Sequence, residues 1–256
     1  MSRGILPLLA AGLLAGVAPA HARATPAPAL RVAAASDLAT AFEEIGPAFQ
    51  RATGRRVTFS FGSSGMLAKQ LQQGAPFDAF AAASAQYADA ATRHGACEAA
   101  TRTPYARGRL ALYSRLPGQA PSRVADLAAP RFRRIAIANP DHAPYGQAAR
   151  EAMRAAGVYD RLKPRLVYAE NVRQAVQFAR TGNVEVAIVA LPLVAADAPA
   201  TWTEVPATLH APLVQIVVAC RGGADFAGGK AFGVFLAGPE GQIILARHGF
   251  AAGGQK

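Results

Sequence analysis

FSFGSSGMLAKQLQQ, Phe59 to Gln73, reads as a buried strand, a four-residue turn and a helix. The turn Gly62-Ser63-Ser64-Gly65 places two hydroxyls where the first turn of a helix leaves its backbone N–H groups unpaired. That arrangement suits a small anion. A second segment has the same design, with the apolar run Leu30 to Ala35, then Ser36-Asp37-Leu38, then a helix. Two serine-tipped helix starts that face one cleft are the organising feature of the chain.

The surrounding sequence sets the fold class. Leu30 to Ala35 is a continuous apolar run, as expected of a parallel strand buried on both faces. The helix after it carries Leu38, Ala41, Phe42, Ile45 and Phe49 at spacings of three and four and is closed by Gly54. Arg56–Phe61 is the second strand and Met66–Gln73 its helix. Phe77–Ala82 is a third strand, followed by a helix over Ser84–His94. Such alternation means an α/β fold with a parallel sheet and crossover helices, with ligands beyond the carboxyl ends of the strands. Ser36 and Ser64 both stand there.

A second alternation follows. Arg109–Tyr113, Arg134–Ala138, Arg165–Tyr168 and Val184–Ala190 are strands, and Gly146–Ala156 and Asn171–Arg180 are helices. Two similar lobes are therefore expected. Pro212–Ala219 is again a strand, and a terminal helix over Gly229–Arg247 returns to the first lobe. The crossings between lobes are placed at Tyr105–Tyr113 and Leu213–Cys220. The expected organisation is an export signal over 1–22, a discontinuous first lobe over 23–108 and 219–256, and a second lobe over 109–218.

Composition narrows the function classes. The chain has 256 residues, 52% of them apolar, which suffices for sizeable cores. Arg3, the apolar run Ile5 to Ala18 and Ala20-His21-Ala22 form an export signal cleaved after Ala22, and the run is too short for a membrane span of roughly twenty residues. Removing residues 1–22 leaves 26 basic against 16 acidic side chains. The arginines are scattered, without a basic-aromatic run, which argues against nucleic acid and for long-range attraction of anions or an acidic partner surface. Cys97 and Cys220 either form one disulfide or remain two buried thiols. No Cys or His spacing indicates a structural metal site.

Taken together, VAAASDL (32–38), FSFGSSGMLAKQLQQGAPFDAFAAAS (59–84), GRLALYS (108–114), NPDHAPYG (139–146) and YAENVRQAVQFARTGNVEVAIVAL (168–191) resemble the periplasmic molybdate-binding proteins. The resemblance covers nearly the whole chain after the signal. It implies a type II periplasmic binding protein fold, two lobes that close on molybdate or tungstate, and delivery of the anion to the membrane permease of an ABC importer. It also implies a monomer with no enzymatic activity and no cofactor, molybdenum entering only as the oxyanion.

Carried over by position, the anion donors are Ser36 and Ser64 from the first lobe and the backbone N–H groups of Tyr145 and Val172 from the second. Ser63 is a second-tier donor or a cap. One departure concerns Ala190, where many members place a tyrosine whose hydroxyl reaches the anion. The Tyr145 phenol is the candidate replacement. Arg173 and His142 are read as a solvated charge and a loop polar group. Helix capping would explain Ser36 or Ser64 singly, but their shared place after buried strands favours binding. The alternatives are a receptor for another tetrahedral oxyanion, such as sulfate or phosphate, and a small-acid lyase on the same fold. The turn FGSSG lacks the five-residue spacing of a nucleophile elbow, and the candidate donors include no general acid or base.

Overall fold

The computed structural model describes Met1, residues 28–198 and residues 200–253. The expected export signal and its cleavage point lie outside the described residues. In chain order the first part contains β1 (Leu30–Ala35), α1 (Ala39–Thr53), β2 (Val57–Gly62), α2 (Ser64–Gln72), β3 (Ala79–Ala82), α3 (Ala85–Arg93) and β4 (Thr103–Gly108). The second contains β5 (Leu110–Tyr113), β6 (Ile135–Ala138), α4 (Pro144–Ala155), α5 (Tyr159–Leu162), β7 (Leu166–Ala169), α6 (Val172–Arg180), β8 (Val186–Ala190) and β9 (Trp202–Glu204). The chain then returns through β10 (Leu213–Ala219), α7 (Phe226–Ala237), α8 (Pro239–Arg247) and β11 (Ala251–Ala252).

Two sheets result, as expected. The first has the strand order β11-β4-β10-β3-β1-β2 and the second β7-β6-β8-β5-β9. The inner strands pair in parallel, β1 with β2 and β3, and β6 with β7 and β8. The strands next to the crossings run antiparallel, β10 against β3 and β4, and β5 against β8 and β9. Val32 to Ala35 are buried on both faces of β1, which is why that strand reads as an unbroken apolar run. One face of the first sheet is sealed by aromatic packing. Phe42 and Phe49 of α1 meet Phe232 of α7 edge-on, and Phe59 of β2 completes the group at 4.8 Å from Phe42.

Several boundaries differ from the sequence reading, each for a local physical reason. The crossing expected at Tyr105–Tyr113 contains the end of β4 and the whole of β5, which lie in different sheets, and the chain passes between lobes at Arg109. Gly108, at the end of β4, leaves room for the second lobe, since a Cβ there would lie 2.2 Å from the Tyr145 hydroxyl oxygen. The expected lobe boundary at 218/219 would cut β10 from its own sheet. β10 pairs with β3 and β4 along its whole length, so the second crossing precedes Leu213. The terminal helix is two helices, because Pro239 cannot continue α7 and instead opens α8 at its first position. The short strands β9 and β11 pair only through sheet partners distant in sequence and carry little local signal.

The open question of the cysteines is resolved: Cys97 and Cys220 form a disulfide, facing each other in an isolated antiparallel bridge just beyond β10. The bond closes a span of 123 residues that includes the entire second lobe. Replacing both cysteines with serine is expected to lower the unfolding free energy by about 2–5 kcal/mol, the range for a long-loop disulfide. Urea melts would measure it, and an unchanged midpoint would show that the bridge adds no stability.

Candidate functional site

The carboxyl ends of the parallel strands in the two sheets face each other. Between them lies a small, tight cavity of about 10 Å³, walled by Ala35, Ser36, Asp37, Gly62, Ser63, Ser64, Ala83, Ala143, Pro144, Tyr145 and Val172. Ser36 opens a single 3-10 turn, Ser36–Leu38, that runs directly into α1. Ser64, Pro144 and Val172 are the first residues of α2, α4 and α6. Four helical starts therefore converge on one cavity. Each brings N–H groups with no acceptor inside its own helix and a partial positive charge. No lysine or arginine forms part of the wall.

The two serines of the GSSG turn have different tasks. Ser63 is the helix cap: its hydroxyl accepts the Met66 N–H at 3.5 Å and lies 2.8 Å from His142 Nδ1 of the second lobe. Ser64 is fully buried, and its hydroxyl accepts the Ala83 N–H at 2.9 Å. That bond occupies an oxygen lone pair and leaves the hydroxyl proton free to be donated into the cavity. Ser36 is likewise buried on the cavity wall.

In the second lobe, Ala143 precedes Pro144, whose fixed φ starts α4 and which has no N–H to lose. Tyr145 therefore sits in the first helical turn rather than in a loop, and its N–H has no intrahelical acceptor. At α6, the Asn171 side chain caps the helix by accepting the Gln174 N–H at 3.1 Å, which leaves the Val172 N–H at the cavity.

Comparison with known proteins agrees with this geometry. Residues 30–251 match the family signature described as bacterial extracellular solute-binding protein. The chain belongs to that family. Among its relatives, the molybdate-binding protein ModA of Rhodobacter capsulatus is 37% identical over 219 residues, covering 85% of this chain and 86% of the relative. ModA of Azotobacter vinelandii is 35% identical over 246 residues and 94% of each chain. The solved structure of an Azotobacter vinelandii periplasmic molybdate-binding protein superposes with a TM-score of 0.82 at 31% identity, over 87% of this chain and 98% of that one. The sulfate-binding protein SubI of Mycobacterium tuberculosis shares the fold alone, at 15% identity and a TM-score of 0.74.

In this solute-binding protein the residues singled out from sequence, Ser36, Ser63, Ser64, Tyr145 and Val172, all reach one cavity wall. Ala190 does not. It is buried in β8 opposite Leu110 and outside the wall. The Tyr145 phenol is directed toward the inter-lobe crossing. Its oxygen lies 3.5 Å from Gln215 Nε2, and it hydrogen-bonds the Asp37 carboxyl. Burial first, and then the neighbouring Asp37 charge, pushes this phenol well above the ordinary tyrosine range, so it remains a neutral donor.

Two further groups escaped the sequence reading. Asp37 is a wholly buried wall residue whose carboxyl is pushed up to about 6 by burial, against the opposing effect of its hydrogen bonds to Gln215 and Tyr145. Its signal was its place directly after Ser36. His142 is more than a loop polar group, because besides the Ser63 contact its carbonyl accepts the Gly65 N–H at 2.9 Å. That bond joins the lobes backbone to backbone at the cavity mouth. Only glycine permits it, since a Cβ at residue 65 would stand 2.6 Å from the His142 oxygen. Gly65→Ala is accordingly expected to oppose lobe closure by about 1–3 kcal/mol, the scale of an overpacked contact. Affinity for a ligand that closes the lobes would fall about five- to hundredfold. The ligand-free melting temperature would stay nearly unchanged, because separated lobes relieve the clash. Isothermal titration against wild type checks this, and equal affinity would show that the contact does not govern closure.

Proposed function

We propose that this protein binds molybdate between its lobes and hands it to the membrane permease of an ABC importer, as an exported receptor rather than an enzyme. The observation that carries the reading is the convergence of four helical starts and two buried serine hydroxyls on a cavity whose wall holds no cationic side chain. The molybdate-binding relatives, aligned over most of both chains, give the ligand its identity.

Molybdate at neutral pH is a compact dianion that offers only acceptors. Neutral donors suit it. The hydroxyls of Ser36 and Ser64 and the N–H groups of Tyr145 and Val172 each form a charge-assisted hydrogen bond, worth roughly 1.5–3 kcal/mol. The helix ends add positive potential without mobile countercharges. Ser63 acts mainly as a cap and as a contact to the second lobe. Tungstate, with the same charge and acceptor geometry, is taken by the same donors, and discrimination against sulfate rests on the size of the closed cavity. The donor set spans both lobes, so the anion itself stabilises the closed form. The receptor works as a monomer, because each chain supplies the complete shell. Positive net charge favours the approach of anions by long-range attraction.

Two measurements test this. In a thermal-shift screen of the mature protein, molybdate and tungstate at about one hundred times the dissociation constant should each stabilise it by about 2.7 kcal/mol, with little effect of sulfate. Equal shifts with all three anions, or none with molybdate, would refute the assignment. Ser64→Ala should weaken molybdate binding about tenfold or more, the value of one charge-assisted hydrogen bond. It also deprives the buried Ala83 N–H of its acceptor, so apo stability should fall by about 1–3 kcal/mol in urea melts. Undiminished affinity would exclude the Ser64 hydroxyl from the shell.

A further inference from the structure

Asp37 poses a question that the donor set leaves unanswered. It lies on the wall of a cavity that the preceding reading gives to a dianion, and it is wholly buried. Its Oδ2 accepts Gln215 Nε2 at 2.6 Å, and Gln215 Oε1 accepts the Tyr105 hydroxyl at 3.1 Å. Its other oxygen, Oδ1, is buried without a partner. The ionisable groups facing the carboxyl are Tyr105 from β4 and Tyr145 from α4, while β10 contributes the neutral Gln215. None of these is cationic.

An ionised carboxylate in this place would repel a dianion across a few ångströms of low-dielectric protein, with no neighbouring cation to compensate. A buried oxygen without a hydrogen bond is costly in its own right. One change removes both penalties. A neutral carboxyl carries no charge against the anion, and its O–H is a donor of the kind the rest of the wall supplies.

We propose that Asp37 is neutral in the ligated receptor, so that one proton from solvent enters with each dianion and is held on Asp37 Oδ1, donated toward an anion oxygen. The inference rests on the oxyanion reading of the cavity. It makes Asp37 a binding residue that donates to the anion, and binding becomes the joint uptake of a dianion and a proton. Burial already brings the ligand-free carboxyl to about 6, and the field of the anion raises it further. Near neutral pH the free protein therefore holds Asp37 mostly ionised and the complex holds it protonated. By linkage, affinity falls about tenfold for each pH unit above that range.

Isothermal titration of the mature protein with sodium molybdate at pH 7.5, in two buffers of different ionisation enthalpy, reads the proton count directly. Wild type should take up close to one proton per anion. Its affinity should fall about tenfold between pH 7.5 and 8.5. Asp37→Asn, whose amide donates without a proton from solvent, should bind with no uptake and an affinity flat across that interval. Wild-type binding with no proton exchanged and a flat profile would overturn the inference while leaving the molybdate reading intact, and it needs no variant. Uptake that persists in Asp37→Asn and vanishes in His142→Gln would place the proton at the cavity rim and also overturn it. Absence of any molybdate binding would refute the oxyanion reading itself, and the inference with it.

Discussion

The structure at the cleft depends on backbone N–H groups that have no acceptor inside their own helices. α2, α4 and α6, together with the 3-10 turn that leads into α1, all begin at the carboxyl ends of parallel strands. The two sheets turn those ends toward each other. An isolated helix start would be satisfied by water. Four starts around one small cavity instead create a site suited to an acceptor-rich, negatively charged ligand. Apart from Asp37, the side chains in the wall are uncharged.

Closure requires the lobes to approach and remain aligned, and the crossings provide for this. β4 and β10 pair antiparallel within the first sheet, and β4 gives way to β5 of the second sheet at Arg109. The Arg109 guanidinium pairs with Glu204 at the end of β9, which ties the crossing to the edge of the second sheet. Beside it, Asp37, Gln215, Tyr105 and Tyr145 join the cavity wall, β10, β4 and α4 in one buried polar cluster. Such a cluster is costly unless satisfied. Its one orphan oxygen is Oδ1 of Asp37, a residue of the cavity wall.

Much of the fold was legible in the sequence because it rests on local patterns. Continuous apolar runs marked the parallel strands, residues at spacings of three and four marked α1, and Gly54 closed it in the left-handed conformation. Ser36 and Ser64 were legible for the same reason, since each follows a buried strand and opens a helical segment. What was misread depended on partners distant in the chain. β10 lies in the first sheet because β3 and β4 receive it there, and no feature within Leu213–Ala219 states that. The direction of the Tyr145 phenol was equally hidden, being set by Gly108, Gln215 and Asp37, three residues from three other parts of the chain.

The amino-acid sequence by itself determined the two alternating α/β lobes, the serine-tipped helix starts and the family resemblance, because periodicity, capping and turn chemistry act over a few residues. The tertiary structure alone decided which of the paired serines caps α2 and which accepts the Ala83 N–H, that His142 bridges the lobes, and that Cys97 meets Cys220. It also decided that Asp37 is buried with one oxygen unpaired. Those outcomes depend on how far apart in space chemically ordinary groups are placed, and on how much water is excluded between them.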